Sequence, residues 1–475
     1  MHRSWNRGVR ALGVAAIGLS AACTPGGDAG ADGGVPSAGD ATMDPDGFVE
    51  LAPFVDANPD LCNALGFPCP DAMVACESGT TSISGVVRDP AGNLPLPNVT
   101  VTIPSGPIQA LPQGAKACVP CNELVGADAA EQTTTDGNGA FTLAFVPSGT
   151  AMPVVIQTGK WRRQVFVDIT ACQDNPLPAS LTRLPRNRAE GDMPQMAVVT
   201  GACDRLACVF ARAGVDPSEF TGPSGGGRLH VYRGAGPGPD LEGGGAGPAG
   251  DCSGDAGACP LWSSLGALET YDLIALGCEC GENNQTKPDM TPMHDWLNEG
   301  GQIIAIHDQE TWLKNGPADF QSVATWIDDG GALPGPYFLD PMATPTLGPW
   351  LAQQGALTDA GGVALDPNDV VRSVASIDPT KADRWLFAGN PQEPSDAGPL
   401  ETFVVPMPVG QKEGACGRAA LADVHVGAHG ATSTAGVPAS CATGPLTPEE
   451  KALEYLLFDT SYCVPPRLVI SPPAL

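Results

Sequence analysis

The stretch from Tyr271 to Leu313 constrains the fold of this chain more than any other part of its sequence. Apolar runs at residues 271–276 and 302–306 show no clear polar alternation, which is typical of strands covered on both faces of a parallel sheet. Between the runs lie three apolar residues with the i, i+3, i+4 spacing of a helix that packs on a sheet: Met293, Trp296 and Leu297. This strand–helix–strand unit predicts an α/β domain whose loops gather at the carboxyl edge of the sheet.

That edge collects six side chains that could serve catalysis or metal binding. They are Cys278, Glu279, Cys280, His307, Asp308 and Glu310. The four with imidazole or carboxyl groups are candidates for an acid/base or metal site, and the two thiols could be soft metal ligands. The alternatives, which we prefer, are a buried, hydrogen-bonded His307 in the rim and disulfide-bonded cysteines. We therefore assign no catalytic residue and expect no metal.

The residues of this unit carry a family resemblance. YDLIALG at 271–277, followed by GGQIIAIHD at 300–308, resembles the central strands of the class I glutamine-amidotransferase-like superfamily. Within it, the sequence is most similar to the trehalose-utilisation (ThuA-like) branch. The resemblance covers residues 194–315 well and the chain to residue 463 loosely. It implies a flavodoxin-like α/β domain at residues 191–475.

The same resemblance argues against amidotransferase activity. Amidotransferases of that superfamily use a cysteine on the elbow after the strand that corresponds to residues 302–306, and this chain has His307 there. Downstream, His425 has no acidic residue two positions later. The nucleophile, base and orienting group are therefore missing. His425 and His429 could form a ligand pair, but glycines place them in a loop without helical spacing, and we do not assign them.

The other predicted elements of residues 191–475 follow from short apolar patterns. Strands are predicted at residues 196–200, 228–232, 370–374, 385–388, 402–405 and 418–426. Helices are predicted at residues 203–213 and 320–327. A final helix should begin after Thr447, because Thr-Pro-Glu-Glu is a capping box with proline at the first helical position.

Residues 59–190 predict a small antiparallel β-sandwich. Strand-like runs lie at residues 82–88, 98–103, 133–145 and 153–169. An Asp-Gly-Asn-Gly turn within residues 133–145 predicts a hairpin, and regular short strands favour a sandwich. The order SGVVRD, NVTVTI, TDGNGAFTL over residues 80–170 resembles a carboxypeptidase regulatory-like domain of the transthyretin-like type. That resemblance implies a structural module, related in fold to carbohydrate-binding sandwiches.

The N-terminus predicts export. Residues 1–22 have the basic start and short apolar segment of a signal peptide. The sequence from Leu19 to Cys23 resembles a bacterial lipobox, although the leucine lies four residues before the cysteine instead of three. We expect a lipid on Cys23, with ordinary cleavage near Ala22 as the alternative. Residues 23–58 predict a disordered tether, since they are dominated by glycine, alanine, aspartate and proline.

Charge and cysteine content narrow the partners and the compartment. The 53 acidic and 24 basic residues give a net charge of −29, which argues against nucleic acid and against direct adhesion to anionic lipid. Sixteen cysteines with an export signal indicate disulfides in an oxidising compartment. If Cys23 carries lipid, fifteen remain, and at least one stays unpaired or pairs between chains.

Spacing suggests several disulfides but does not fix their connectivity. Local pairs are Cys62 with Cys69, Cys203 with Cys208, and Cys252 with Cys259. Cys118 and Cys121 should bridge to Cys76 or Cys172, or to each other. The family resemblance places Cys416, Cys441 and Cys463 against the same sheet as Cys278 and Cys280. We therefore predict that at least one of the last two is bridged to that C-terminal group.

The sequence as a whole favours a non-catalytic lipoprotein of the cell envelope, in the outer membrane, with a binding or scaffolding role. Carbohydrate or another envelope protein is the expected partner, the membrane is reached through the lipid anchor alone, and no cofactor is expected. The alternative, which the ThuA-like resemblance implies, is a sugar-directed enzyme or carbohydrate receptor. Its site would be the sheet edge with Glu279, His307, Asp308 and Glu310.

Overall fold

The computed structural model describes residues 74–115, 129–235, 240–241, 249–254, 259–328, 331–389, 400–427, 436–441 and 443–459. Several predicted features lie outside these residues: the signal peptide, Cys23, the tether, Cys62, Cys69, Cys118, Cys121, His429 and Cys463. The chain divides into two compact units, Met1–Val55 and Asp56–Leu475, and all described residues belong to the second. Within them, no helix is long and apolar enough to cross a membrane.

Two small sheets form the N-terminal part of the described structure. Their strands are β1 (Ser82–Val86), β2 (Thr100–Pro104), β3 (Ala129–Thr134), β4 (Ala140–Ala144), β5 (Gly149–Thr158), β6 (Trp161–Ile169) and β7 (Asp174–Pro176). One sheet has the order β4–β1–β7 and the other β3–β2–β5–β6. The pairing is antiparallel except between β1 and β7. Residues of both sheets, including Ile83, Val101 and Ile156, share one hydrophobic core.

The hairpin predicted at residues 133–145 is wrong. β3 pairs with β2, whereas β4 pairs with β1, so the strands on either side of the turn belong to different sheets. The turn itself forms, because the Asp136 carboxylate accepts the backbone N–H groups of Asn138 at 2.8 Å and Ala140 at 2.9 Å. Turn chemistry is local and does not require the flanking strands to pair with each other.

A large mixed sheet forms the rest of the described structure. Its strands are β8 (Met196–Thr200), β9 (Phe220–Thr221), β10 (Leu229–Arg233), β11 (Gly250–Asp251), β12 (Leu273–Leu276), β13 (Gln302–Ile306), β14 (Ala324–Trp326), β15 (Tyr337–Leu339), β16 (Val374–Ile377), β17 (Asp383–Ala388), β18 (Leu400–Met407) and β19 (Gly417–Ala422). The main path runs β11–β10–β8–β12–β13–β19–β18–β16–β14, and β15, β17 and β9 join beside it. The strands from β11 to β19 along this path pair in parallel, and β18 joins β19 antiparallel.

Eight short helices accompany these sheets in the described residues. They are α1 (Ala179–Thr182), α2 (Leu206–Arg212), α3 (Leu265–Leu268), α4 (Thr291–Asn298), α5 (Thr311–Lys314), α6 (Ala318–Gln321), α7 (Leu347–Gln353) and α8 (Pro448–Asp459). The helix predicted at residues 320–327 is wrong from Ser322 onward, because the chain leaves α6 after Gln321 and enters β14 at Ala324. Residues 324–326 pair with β16 instead of continuing the helix, so tertiary pairing overrides the local helical pattern.

The centre of the large sheet explains why its strands could be recognised in the sequence. Every residue of β8, β12 and β13 is buried, so both faces are covered and polar residues find no exposed position. The apolar face of α4 packs against this layer with Met293, Trp296 and Leu297 all buried. The chain then turns close to that helix at Gly301, where a Cβ atom would lie 2.2 Å from the Trp296 ring.

The last helix begins with the predicted capping box. The backbone N–H of Thr447 donates to the Glu450 carboxylate at 2.9 Å, and the N–H of Glu450 donates to the Thr447 hydroxyl at 3.4 Å. Two of the N–H groups that a helix start leaves without partners are thus satisfied. The Glu450 carboxylate also forms an ion pair with Arg212, which ties the start of α8 to the end of α2.

Packing is continuous between the small sheets and the large sheet. The Lys160 ammonium and the Asp272 carboxylate form a buried ion pair between them. The rings of Trp161 and Phe458 lie 5.4 Å apart, and the Trp350 indole N–H donates to a backbone carbonyl of the β1–β2 connection at 2.6 Å. The division at residues 190/191 stays a prediction, but these contacts indicate that the two sheet systems are stabilised together.

Four disulfides join described cysteines, and they correct most of the expected pairings. Cys252 pairs with Cys259 as expected. The other three bridges are Cys76–Cys172, Cys203–Cys280 and Cys208–Cys441. The expected Cys203–Cys208 pair is wrong because Cys208 lies within α2, whereas Cys203 precedes that helix at the sheet edge. Cys76 and Cys172 bond to each other, so neither is a partner for Cys118 or Cys121. Cys416 is also disulfide-bonded.

The predicted bridge from Cys278 or Cys280 to the C-terminal cysteines is wrong. Cys280 bonds to Cys203, and Cys278 is free. In an extended strand Cys278 and Cys280 would face the same side, but β12 ends at Leu276 and Cys280 has a left-handed φ of 57°. The C-terminal region is instead fastened to α2 through Cys441.

Candidate functional site

A cluster of cysteine and histidine side chains lies at the carboxyl edge of the large sheet. Cys278 follows β12, His307 follows β13 directly, and His425 follows β19. Because these three strands are parallel neighbours, the chain segments that leave them emerge side by side. One ligand atom from each side chain lies within 4.8 Å of the other two. We call Cys278, His307 and His425 the edge cluster.

Cys278 is the innermost member of the edge cluster. Its side chain is 0 % exposed, and it is the free cysteine among the described residues. Its backbone N–H donates to the buried Asp204 carboxylate at 2.7 Å. The thiol lies 3.4 Å from Nδ1 of His307 and donates to the Asp308 carboxylate, also at 3.4 Å. Burial, together with the charges of Asp204 and Asp308, raises the pKa of the Cys278 thiol.

His307 forms the solvent-facing side of the cluster. It opens a 3₁₀ turn at residues 307–310 and has a left-handed φ of 46°, a conformation that costs a non-glycine residue roughly 1 kcal/mol or more. Its side chain is 23 % exposed, and its Nε2 lies 3.6 Å from the Asp308 carboxylate. Its ring meets that of His425 edge to face, with centroids 5.2 Å apart. Burial lowers the pKa of His307, and the negative charge of Asp308 opposes that shift.

The structure brings only part of the predicted site together. His307 and Asp308 lie beside each other, but Glu279 is taken up by a fully buried ion pair with Lys287 at 2.9 Å. Glu279 also accepts the backbone N–H of Ala235 at 2.8 Å. Glu279 is therefore engaged in structural contacts and is not a member of the edge cluster.

Glu310 is buried behind the edge, not displayed on it. Its carboxyl lies 3.8 Å from the Lys314 ammonium. Burial and the nearby carboxylate of Asp423 raise the pKa of Glu310 to about 9. Burial likewise raises the pKa of Asp423 to about 7. Both carboxyl groups are almost completely buried, so neither is displayed at the surface of the sheet edge.

Sequence reasoning did not bring Cys278 and His425 together in one cluster. Cys278 was expected in a disulfide, and His425 was placed in a glycine-rich loop together with His429. The available signal was positional: His425 follows the predicted strand at 418–426, whose carboxyl end should lie at the same edge as His307. The free state of Cys278 had no sequence signal, because it depends on Cys203 bonding to Cys280.

The arrangement allows two kinds of chemistry. A cysteine 3.4 Å from a histidine resembles the dyad of a thiol nucleophile. The same atoms, with His425 added, have the donor types and spacing of a transition-metal site. A nucleophilic cysteine needs an approach for its substrate, whereas Cys278 has no exposed surface. The geometry therefore favours metal binding over acyl transfer.

Comparisons with known proteins add little to this description. No family model matches the chain, and no curated protein matches it. Among solved structures, it is similar to a chain of a type II cohesin–X-dockerin complex from Acetivibrio cellulolyticus. The identity is 18 %, the TM-score is 0.16, and the match covers 31 % of this chain and 88 % of that chain. A likeness this small carries no argument about fold or function.

Proposed function

We propose that this protein is an exported lipoprotein of the cell envelope, anchored in the outer membrane through Cys23, with a binding role and no acyl-transfer activity. Its ligand site is the carboxyl edge of the large sheet. The observation that carries the proposal is the convergence of Cys278, His307 and His425 at that edge, with solvent access on the His307 side.

Strand order supports this location. Taken in chain order, the five longest of the parallel strands, β8, β10, β12, β13 and β19, are arranged in space as 2-1-3-4-5, which is the order of flavodoxin-like sheets. This supports assigning residues 191–475 to the flavodoxin-like, class I glutamine-amidotransferase-like class. In such sheets ligands bind outside the carboxyl ends of the strands where the strand order reverses, and Cys278 follows the strand at that point, β12.

The second candidate is a sugar-directed protein that uses the same edge, and the geometry favours a receptor over a hydrolase. Most glycoside hydrolases need two carboxyl groups on either side of the scissile bond. Of the acidic candidates, Glu279 is paired with Lys287, and Glu310 is 5 % exposed beside Lys314. Asp308 alone remains partly open, so the carbohydrate-receptor form of this alternative is the one we retain.

A thermal-shift screen tests the ligand site. The full chain is heated with a panel of mono- and disaccharides, with and without divalent metals, beside a His307→Ala variant. A matched control is His294→Ala, which removes a histidine that pairs with surface carboxylates on α4 and α6. We expect stabilisation that His307→Ala abolishes and His294→Ala retains. Equal stabilisation of all three proteins would place the ligand elsewhere, and no stabilisation by any sugar would remove the receptor form.

The envelope anchor is tested independently by labelling cells with radioactive palmitate. The unmodified gene should yield a labelled product in the membrane fraction, and Cys23→Ala should yield an unlabelled one. An unlabelled, released product from the unmodified gene would remove the anchor from the proposal and leave the ligand site untouched.

A further inference from the structure

The side chains of the edge cluster offer donor atoms of the types and spacing that a metal ion requires. We propose that Cys278, His307 and His425 bind one divalent transition-metal ion, with zinc as the best fit, and that an open coordination position on this ion receives an oxygen-donor ligand. The inference deepens the proposed function and rests on it for the second part alone. It departs from the expectation of no metal drawn from the sequence.

The distances fit a tetrahedral ion. With Zn–S near 2.3 Å and Zn–N near 2.0–2.1 Å, two ligand atoms of a tetrahedral site lie about 3.6 Å apart for sulfur and nitrogen. The observed separation between Cys278 Sγ and His307 Nδ1 is 3.4 Å. All three ligand atoms lie within 4.8 Å of one another, so closing the widest pair requires a movement of about 1.5 Å at most, which a side-chain rotation supplies.

The donor set selects the class of metal. One thiolate and two imidazoles favour zinc, copper, cobalt or nickel, whereas magnesium and calcium require oxygen ligands. Three protein ligands also leave the fourth tetrahedral position open, as in catalytic and substrate-binding zinc sites. The exposed fraction rises from 0 % at Cys278 to 23 % at the His307 side chain. The open coordination position therefore lies on the solvent side of the cluster.

The surroundings hold the ligands as metal sites usually do. A metal-bound histidine commonly presents its second ring nitrogen to a carboxylate, which fixes the orientation of the ring. His307 has Nδ1 towards Cys278, and its Nε2 lies 3.6 Å from Asp308, which is longer than a hydrogen bond but places a carboxylate beside the second nitrogen. Asp204 fixes the backbone of Cys278 through a 2.7 Å hydrogen bond. The left-handed φ of His307 is a local strain of the kind that concentrates at functional sites.

Asp308 is accordingly a positioning residue. Its carboxylate lies beside both the thiol and the imidazole, so it can hold both side chains in one orientation. Asp308→Asn keeps the shape and removes the charge. It should weaken metal binding by about 10- to 100-fold, the usual cost of losing an outer partner, without changing the number of ions bound.

Metal titration of the full chain tests the inference directly. The protein is stripped with a chelator in the absence of thiol reductants and titrated with Co²⁺. A second stripped sample is loaded with Zn²⁺ and dialysed, and its bound zinc is counted by mass spectrometry. We expect one ion per chain, a near-ultraviolet band from the thiolate–cobalt bond, and visible bands of tetrahedral cobalt. Cys278→Ser should abolish the near-ultraviolet band. His307→Ala and His425→Ala should lower the affinity by more than about 100-fold.

The controls separate ligand loss from unfolding. His294→Ala should bind Co²⁺ as the wild type does, and each variant is checked by circular dichroism before titration. If Cys278→Ser fails to fold, His425→Ala and the stoichiometry of the wild type still decide the question. A thiolate–cobalt band that survives in Cys278→Ser would assign the metal to another cysteine and overturn the inference, as would a stoichiometry of zero.

Acetate added to the cobalt form tests the open position. A change in the visible bands at constant stoichiometry is expected, and unchanged bands would overturn that part of the inference. Failures of the two proposals can be told apart. Sugar stabilisation of metal-free protein without any Co²⁺ binding would leave the binding role and remove the metal. One bound Co²⁺ without any sugar stabilisation would retain the metal and remove the receptor form.

Discussion

Replacing Glu401 with glutamine should make the stability of this protein less dependent on pH. Glu401 lies in β18, is 3 % exposed, and accepts a hydrogen bond from the Thr402 hydroxyl. Burial raises its pKa from 4.5 to about 8, opposed by the Thr402 hydrogen bond and reinforced by the carboxylates of Asp423 and Glu449. In the folded protein this carboxyl therefore stays protonated well above the pH at which it ionises in the unfolded chain.

The sign and the size of the effect follow from that difference. The folded state holds the proton more tightly, so the stability contributed by Glu401 is fully present below pH 4.5 and is lost as the pH rises to about 8. The full loss corresponds to about 5 kcal/mol of unfolding free energy at 1.36 kcal/mol per pH unit. Between pH 5.5 and pH 9 the wild type should lose about 3 kcal/mol from this group, and the variant should lose none of it.

Urea unfolding of wild type and Glu401→Gln at several pH values between these limits measures the difference. The lower limit keeps the protein above its isoelectric point of 4.3. Glu77→Gln is the control, because Glu77 is exposed and its replacement should leave the pH profile unchanged. A constant stability difference between wild type and Glu401→Gln across the range would mean that Glu401 is not protonated in the fold, and the reasoning would be refuted.

Three further changes test the packing. Asp272→Asn leaves the Lys160 ammonium buried without its partner and should lower the free energy of unfolding by about 3–5 kcal/mol in urea; a loss below 1 kcal/mol would argue against the buried pair. Replacing both Cys208 and Cys441 with alanine opens a loop that spans 233 residues and should cost about 5 kcal/mol in the chain-entropy model, read from the same urea curves. Trp296→Ala removes a fully buried ring between α4 and the large sheet and should cost about 3–5 kcal/mol; an unchanged melting temperature would contradict its place in the core.

The parts of the fold that could be predicted are those whose burial leaves a local pattern. β8 and β13 have the bounds read from the sequence, Met196–Thr200 and Gln302–Ile306, because strands covered on both faces exclude polar residues. The apolar face of α4 and the capping box of α8 were recognisable for the same reason. Each is encoded within a few neighbouring residues.

The parts that could not be predicted depend on residues far apart in the chain. The turn at Asp136 has a sequence typical of hairpins. The strands on either side of it nevertheless join different sheets, because β3 pairs with β2 and β4 pairs with β1. Disulfide partners are decided the same way, since Cys208 bonds to a cysteine 233 residues later. His307 and Asp308 could be placed at the edge from strand order alone, whereas the free thiol of Cys278 could not.

That free thiol decides between the possible uses of the site. In an oxidising compartment an accessible cysteine tends to be oxidised or bridged, and Cys280, two residues away, is bridged to Cys203. Cys278 escapes because it has no exposed surface, and the same enclosure denies a substrate the approach that a nucleophile needs. The proposed metal ion is small enough to reach the thiol past the partly exposed His307, and it would compensate the negative charge of a buried thiolate. The burial of the Cys278 thiol therefore argues against catalysis by the thiol and favours a role as a metal ligand that is protected from oxidation.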